Sequence, residues 1–195
     1  MVYETLVEQL FHHSINGKID CVEAVTAPLV QAGLSLADCL LADGRLLVCG
    51  NGGSALNAQF FAMSLINQGE RERPGLPVIL LDSSPLLVSI EHDYGINEGF
   101  ARQIRALGQP GDRLVIFTRT GTPANLLNAV SAAHERDMVV IAITAQDGGY
   151  LPSLLSHRDV EVRVPQLSRF RIYETHLLLS FALCELIEYR LFGGT

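Results

Sequence analysis

From residue 45 onward, short apolar runs alternate with longer stretches whose apolar positions repeat every three to four residues. The runs predict buried strands over 46–49, 78–81, 113–117, 138–144 and 160–164. The stretches between them predict helices, notably over 55–67, 123–136 and 169–191. Short apolar strands that alternate with helices are typical of a parallel sheet covered on both faces. We therefore expect a three-layer α/β/α sandwich with a five-stranded parallel sheet, which binds ligands at the carboxyl ends of its strands.

The first 44 residues show helical periodicity and no strand-like run. Leu6, Leu10, Ile15 and Ile19 fall roughly on one face, and Pro28 predicts a break, because proline interrupts helix hydrogen bonding. No linker or low-complexity segment divides the chain. We expect a single domain over 1–195, with N-terminal helices over 1–44 used in oligomer packing and the sheet core and last helix over 45–195.

Composition narrows the possible classes of protein. A formal net charge of −7 argues against direct nucleic-acid binding, which needs clustered Lys and Arg. No unbroken apolar run reaches the roughly eighteen residues of a membrane span, and the start of the chain does not have the pattern of a signal peptide. A cytoplasmic location is therefore expected. Free thiols in the core are expected at four scattered cysteines, Cys21, Cys39, Cys49 and Cys184.

Two loops between a strand and a helix have the character of phosphate sites. The first comprises Gly50, Asn51, Gly52, Gly53 and Ser54. Its glycines allow the backbone to approach an anion, and the following helix start supplies N–H groups. The simpler alternative is a tight turn without a ligand.

The second loop comprises Thr118, Arg119, Thr120, Gly121 and Thr122. Its hydroxyls and one guanidinium suit an anion. The alternative here is plain helix capping by Thr122. Neither loop has the sequence of a Walker A motif or of a dinucleotide-binding motif.

Five segments in one order and spacing resemble the bacterial SIS (sugar isomerase) family, which contains the phosphoheptose isomerases and the DnaA initiator-associating protein DiaA. They are 50–54, 71–74, 103–108, 147–149 and 160–165. The resemblance implies the SIS fold, a homotetramer, and phosphosugar contacts by Asn51, Ser54, Asp93, Thr118 and Thr120. A serine of the family's second loop is Pro123 here, which removes a hydroxyl and an N–H donor.

The same resemblance implies that this chain lacks the zinc and isomerase side chains of the phosphoheptose isomerases. The family has His and Glu four residues apart on one helix, where this chain has Phe60 and Ser64, and Gln and His on the last helix, where it has Tyr173 and Phe181. No zinc or other cofactor is therefore expected. Phenylalanine neither binds metal nor transfers a proton.

Two further side chains on the last helix have ordinary structural interpretations. His176 is expected to be a core histidine with one nitrogen satisfied, and Glu174 to pair with Arg171 three residues earlier. Leu191 and Phe192 match a pair that contacts DnaA in DiaA, and they are candidate partner-binding residues.

The resulting expectation is a non-catalytic protein with a phosphosugar-binding fold, acting as a DiaA-like, DnaA-binding regulator of replication initiation. An active sedoheptulose 7-phosphate isomerase and a phosphosugar-sensing module with an unknown partner are the alternatives.

Overall fold

The computed structural model describes residues 2–69, 71–81 and 84–193. The helices are α1 (Val2–Leu41), α2 (Gly53–Ile66), α3 (Ser84–Tyr94), α4 (Gly99–Leu107), α5 (Ala124–Glu135) and α6 (Arg169–Phe192). The strands are β1 (Leu46–Gly50), β2 (Val78–Leu80), β3 (Arg113–Phe117), β4 (Val139–Ala145) and β5 (Val160–Val164). Short 3-10 turns occupy Ile96–Glu98 and Leu151–Leu154.

The five strands form one parallel sheet in the order β2-β1-β3-β4-β5. All five lie within a residue or two of their predicted bounds, which confirms the predicted fold. The register pairs Gly50 at the end of β1 with Phe117 at the end of β3. The loops that follow these two strands therefore leave the same edge of the sheet side by side.

Alternate residues of the buried strands face two separate apolar layers. Val48, Val115 and Ile143 face a layer that also contains buried side chains of α1, α2 and α6. Cys49, Ile116 and their neighbours face a layer built with α4 and α5. All four cysteines are buried free thiols, as expected. These two layers and the sheet form the predicted sandwich.

Helix α1 is one continuous helix, so the predicted break at Pro28 is wrong. Proline leaves the carbonyl four residues earlier without a partner, but Ala24 is exposed, so water can satisfy that carbonyl. Cys21, Val25 and Leu29 are buried on either side of the proline, and they hold the helix against the core.

Helix α1 is long and apolar enough to cross a membrane, by length and composition only. An 18-residue window of it has a mean hydropathy of 1.5, and 39% of that window is buried within the protein. Core helices of soluble proteins also reach such values, and the second half of α1 has buried residues at Leu36 and Ala37. The first half, by contrast, is mostly exposed.

Candidate functional site

A small cleft lies at the carboxyl edge of the sheet, between the loops that follow β1 and β3. Its volume is about 130 Å³. Side chains of both loops and of α6 line it: Asn51, Ser54, Phe117, Thr118, Arg119, Thr120, Pro123 and Tyr173. Five of the residues predicted to bind ligand therefore meet here, namely Asn51, Ser54, Thr118, Arg119 and Thr120.

The loop after β1 turns directly into α2, with Gly52 at the cap position and Gly53 as the first helical residue. A Cβ on Gly53 would lie 2.6 Å from the Cζ of Tyr173, so only glycine lets that ring close over the helix start. Ser54 is 3% exposed, and its hydroxyl has no hydrogen-bond partner in the described part of the chain. A hydroxyl that has no partner and faces a cleft at a helix N-terminus suits an anionic ligand.

The loop after β3 is held by its own hydroxyls. Thr118 Oγ1 accepts a hydrogen bond from the Gly121 N–H at 3.1 Å, and the Thr120 and Thr122 hydroxyls are 2.9 Å apart. Gly121 has a φ of 60°, and a Cβ there would collide with the Gly148 carbonyl. This glycine lets the loop pack against the glycine-rich turn after β4.

Thr122 does not cap α5, so the alternative interpretation of this loop is wrong. The cap residue is Pro123, which has φ −62° and ψ 126° and makes no side-chain cap hydrogen bond. The Thr122 hydroxyl instead pairs with Thr120 on the loop.

Asn51 has a partner that the sequence did not reveal. Its Nδ2 donates to Asn125 Oδ1 at 2.8 Å, and Asn125 Nδ2 donates back to Asn51 Oδ1 at 2.9 Å. This reciprocal amide pair ties the loop after β1 to the first turn of α5. Asn51 therefore positions the two halves of the cleft relative to each other.

Asp93 lies outside this cleft. It lines a groove between α3 and α4 with Tyr94 and Arg102, and its carboxylate is 2.8 Å from His92 Nδ1. The arginine guanidinium stacks on the Tyr94 ring at 3.6 Å from the ring centroid. Within one chain, Asp93 therefore lies in a different groove from the two loops that line the cleft.

The side chains at the implied zinc positions do not fit a metal ion. Phe60 and Phe181 pack edge to face, with ring centroids 5.1 Å apart, and Ser64 lines the same groove between α2 and α6. Tyr173 lies apart from this pair, in the cleft. No group of three His, Cys, Asp or Glu that could hold a metal occurs among the described residues. Aromatic rings are not zinc ligands, so the Phe60–Phe181 pair cannot hold zinc in the way that His and Glu would.

His176 is fully buried, as predicted, with a single nitrogen satisfied. Its Nε2 donates to the Thr144 carbonyl at 3.1 Å, and Nδ1 has no partner. Burial lowers the pKa of His176 to about 4, even though the carbonyl hydrogen bond raises it. The imidazole is therefore neutral at physiological pH and lies in the core.

Glu174 pairs with Arg171, as predicted, with Nη1 3.0 Å from Oε2. It also accepts hydrogen bonds from Lys18 and Ser14 of α1. Burial raises the pKa of this carboxyl, but the hydrogen bonds and the charge of Arg171 outweigh burial and hold the pKa below its ordinary value. Glu174 therefore fastens α1 to α6.

The candidate partner-binding residues close α6. Leu191 packs against the core layer on that side, and Phe192 is 38% exposed beneath the Arg71 guanidinium, 5.5 Å from its ring centroid. Their role in binding a partner stays a prediction.

Comparisons with known proteins agree on one group of relatives. A family model described as the SIS domain matches residues 11–145. The chain is 44% identical over 196 residues to a protein named phosphoheptose isomerase from Chromohalobacter salexigens, covering 100% of both chains. It is 47% identical over 189 residues to one from Halorhodospira halophila, covering 96% of each.

Solved structures extend this similarity to three dimensions. A phosphoheptose isomerase from Francisella tularensis superimposes with a TM-score of 0.91 at 37% identity, over 96% of this chain and 98% of that one. A second, from Neisseria gonorrhoeae, gives a TM-score of 0.88 at 40% identity, over 96% and 99%.

The expected role as a non-catalytic, DnaA-binding regulator of replication initiation is wrong on these findings. Relatives at 44% and 47% identity over nearly whole chains bear the name of an isomerase. The four replaced side chains on α2 and α6 change the chemistry of one part of the protein. They do not by themselves show what the whole chain does. The alternative of an isomerase is the better supported one.

Proposed function

The chain belongs to the SIS domain family and within it to the phosphoheptose isomerase group, and from this premise we propose that it isomerises a phosphorylated ketose to the corresponding aldose. Sedoheptulose 7-phosphate, a phosphorylated heptose, is the first candidate substrate, because the relatives at 44% and 47% identity are named phosphoheptose isomerase. The observation that supports the proposal is the cleft between the loops after β1 and β3.

The cleft has the donors that a phosphate group requires. The start of α2 contributes the positive end of a helix dipole, and Ser54 and Thr120 contribute hydroxyls. Arg119 adds a positive charge on the same wall. In this proposal the cleft holds the phosphate and orients the sugar, and it excludes water on the side covered by Tyr173.

The proposal includes isomerisation without zinc between α2 and α6. Moving a proton between neighbouring carbons needs a positioned acid and base, and neither Phe60 nor Phe181 can act as one. In this proposal other groups than this aromatic pair therefore take the proton from one carbon and return it to the next. The Phe60–Phe181 pair then forms an apolar wall in the groove lined by Met63 and Leu178.

An isomerase assay with and without a chelator tests this proposal. Purified protein is incubated with sedoheptulose 7-phosphate, and the aldose product is measured by chromatography, with the Neisseria gonorrhoeae enzyme as positive control. We expect turnover above the protein-free rate, unchanged by the chelator. Binding of the sugar phosphate without turnover of any ketose phosphate in a panel would overturn the catalytic proposal.

The proposal places this activity in a cytoplasmic homotetramer that binds no nucleic acid directly and no membrane. Exposed apolar residues on the first half of α1 support self-association, with Phe11 67% and Ile19 63% exposed.

A further inference from the structure

Arg119 differs from the other arginines of this acidic chain. The others in the described residues form ion pairs, donate to backbone carbonyls, or lie over aromatic rings; Arg158, for example, pairs with Asp137 at 2.8 Å. Within the described part of the chain, Arg119 has no hydrogen bond, ion pair or ring contact. With a net charge of −7, carboxylates are abundant, so an unpaired and partly buried guanidinium is unusual.

A second unpartnered polar group lies in the same cleft. The hydroxyl of Ser54 has no partner among the described residues, and this residue is only 3% exposed. Because a guanidinium and a hydroxyl that face the same small cleft can both donate to one anion, the pair indicates an anionic ligand.

The proline at the end of the second loop explains why a charged side chain is needed. Pro123 has no N–H and makes no side-chain cap bond, so the start of α5 has fewer donors than an ordinary helix N-terminus. A guanidinium on the same loop restores positive charge at this wall, and its planar fork can donate two parallel hydrogen bonds to a phosphate.

The cleft is small and open on one side, with a volume of about 130 Å³. A phosphate group fits against the two loops that line it. In this proposal the rest of the sugar extends out through the open side, so the two loops contact the phosphate.

We propose that Arg119 is the specificity-determining cation of this site and makes it selective for the doubly charged form of a phosphate monoester. The inference rests on the proposed function, because it concerns the same cleft. The phosphate of a sugar phosphate loses its second proton with a pKa near 6, so affinity that depends on Arg119 rises with pH through that region.

Calorimetric titration of sedoheptulose 7-phosphate and of inorganic phosphate tests the role of Arg119. Loss of a charge-assisted pair predicts that Arg119→Ala binds the sugar phosphate about 10- to 100-fold more weakly. Arg119→Lys recovers part of the affinity, since lysine supplies the charge without the fork. In addition, the rise in affinity between pH 5.5 and 7.5 flattens in Arg119→Ala.

Arg158→Ala is the matched control, because it removes the same charge at the opposite edge of the sheet, next to Asp137. We expect its affinity to equal that of the unaltered protein. Equal affinity of Arg119→Ala and the unaltered protein would refute the role of Arg119 alone. If the unaltered protein binds neither ligand, the proposed function fails along with it.

Discussion

At the residue scale, some residues of the candidate site can be recognised from a local sequence motif, and others only from the fold. The glycines, hydroxyls and Arg119 of the two loops could be predicted from the sequence, because each loop joins a strand to a helix within a few residues. The Asn51–Asn125 pair could not, since its members are 74 residues apart in the chain. The position of Asp93 in a separate groove likewise depends on how α3 packs on α4.

The neutral, buried His176 makes a prediction about pH. Its folded-state pKa of about 4 lies below the ordinary value of 6.5, so the unfolded chain binds the proton more readily. The stabilising contribution is fully present above pH 6.5 and is lost as the pH falls toward 4. Between pH 7 and pH 5 we expect the free energy of unfolding to fall by about 2 kcal/mol from this residue.

Urea unfolding of His176→Gln measures that contribution. The glutamine Nε2 can take the place of the imidazole Nε2 and donate to the Thr144 carbonyl, but the side chain does not titrate. We expect the variant to lose about 2 kcal/mol less than the unaltered protein between pH 7 and pH 5. The prediction fails if both proteins lose the same amount.

At the element scale, the sheet was predictable and the long first helix was not. Strands β1, β3 and β4 are mostly apolar runs buried on both faces, such as Leu114 to Phe117, and such runs are easily recognised in a sequence. The short β2 is apolar but only partly buried, and β5 alternates buried valines with Glu161 and Arg163, which is also a strand pattern. Pro28 signals a break by local rules, and the structure overrides it because packing of Val25 and Leu29 is a tertiary effect.

Pro28 therefore makes α1 less stable than the same helix would be with alanine at this position. Pro28→Ala restores an N–H for the Ala24 carbonyl, and an interior proline is about 3 kcal/mol less favourable than alanine. The freer unfolded chain of the variant offsets up to about 1 kcal/mol. We expect denaturant unfolding to report a gain of about 1–3 kcal/mol.

Pro123→Ala is the matched control for that substitution. Pro123 caps α5 from outside the helix, so no helical hydrogen bond is recovered there. The freer unfolded chain then dominates, and we expect a loss of up to about 1 kcal/mol. Stability changes of the same sign in both variants would contradict this account of α1.

At the scale of the whole molecule, the first half of α1 is an apolar surface that one chain leaves open. Phe11, Ile15, Ile19 and Val22 fall within about a third of the helix circumference, and they are 67%, 51%, 63% and 58% exposed. We call these four residues the α1 stripe. Hydrogen bonds from Arg171 to the Leu10 carbonyl and from Lys18 to Glu174 fix this half of the helix against α6. These contacts hold the α1 stripe in a fixed position, where it can pack against another copy of the chain.

Sedimentation of a stripe variant tests whether this surface builds the proposed tetramer. A charge buried in an apolar interface is strongly unfavourable, so Ile15→Arg should shift the protein from four times the 21.3 kDa chain mass toward smaller species at micromolar concentration. The far-ultraviolet circular dichroism spectrum should stay unchanged, because Ile15 is 51% exposed and belongs to neither apolar core layer. Val88→Arg, at a 64% exposed apolar position on α3, is the control and should leave the mass unchanged. A monomeric unaltered protein, or an Ile15→Arg protein that is still tetrameric, would show that the α1 stripe is not the interface.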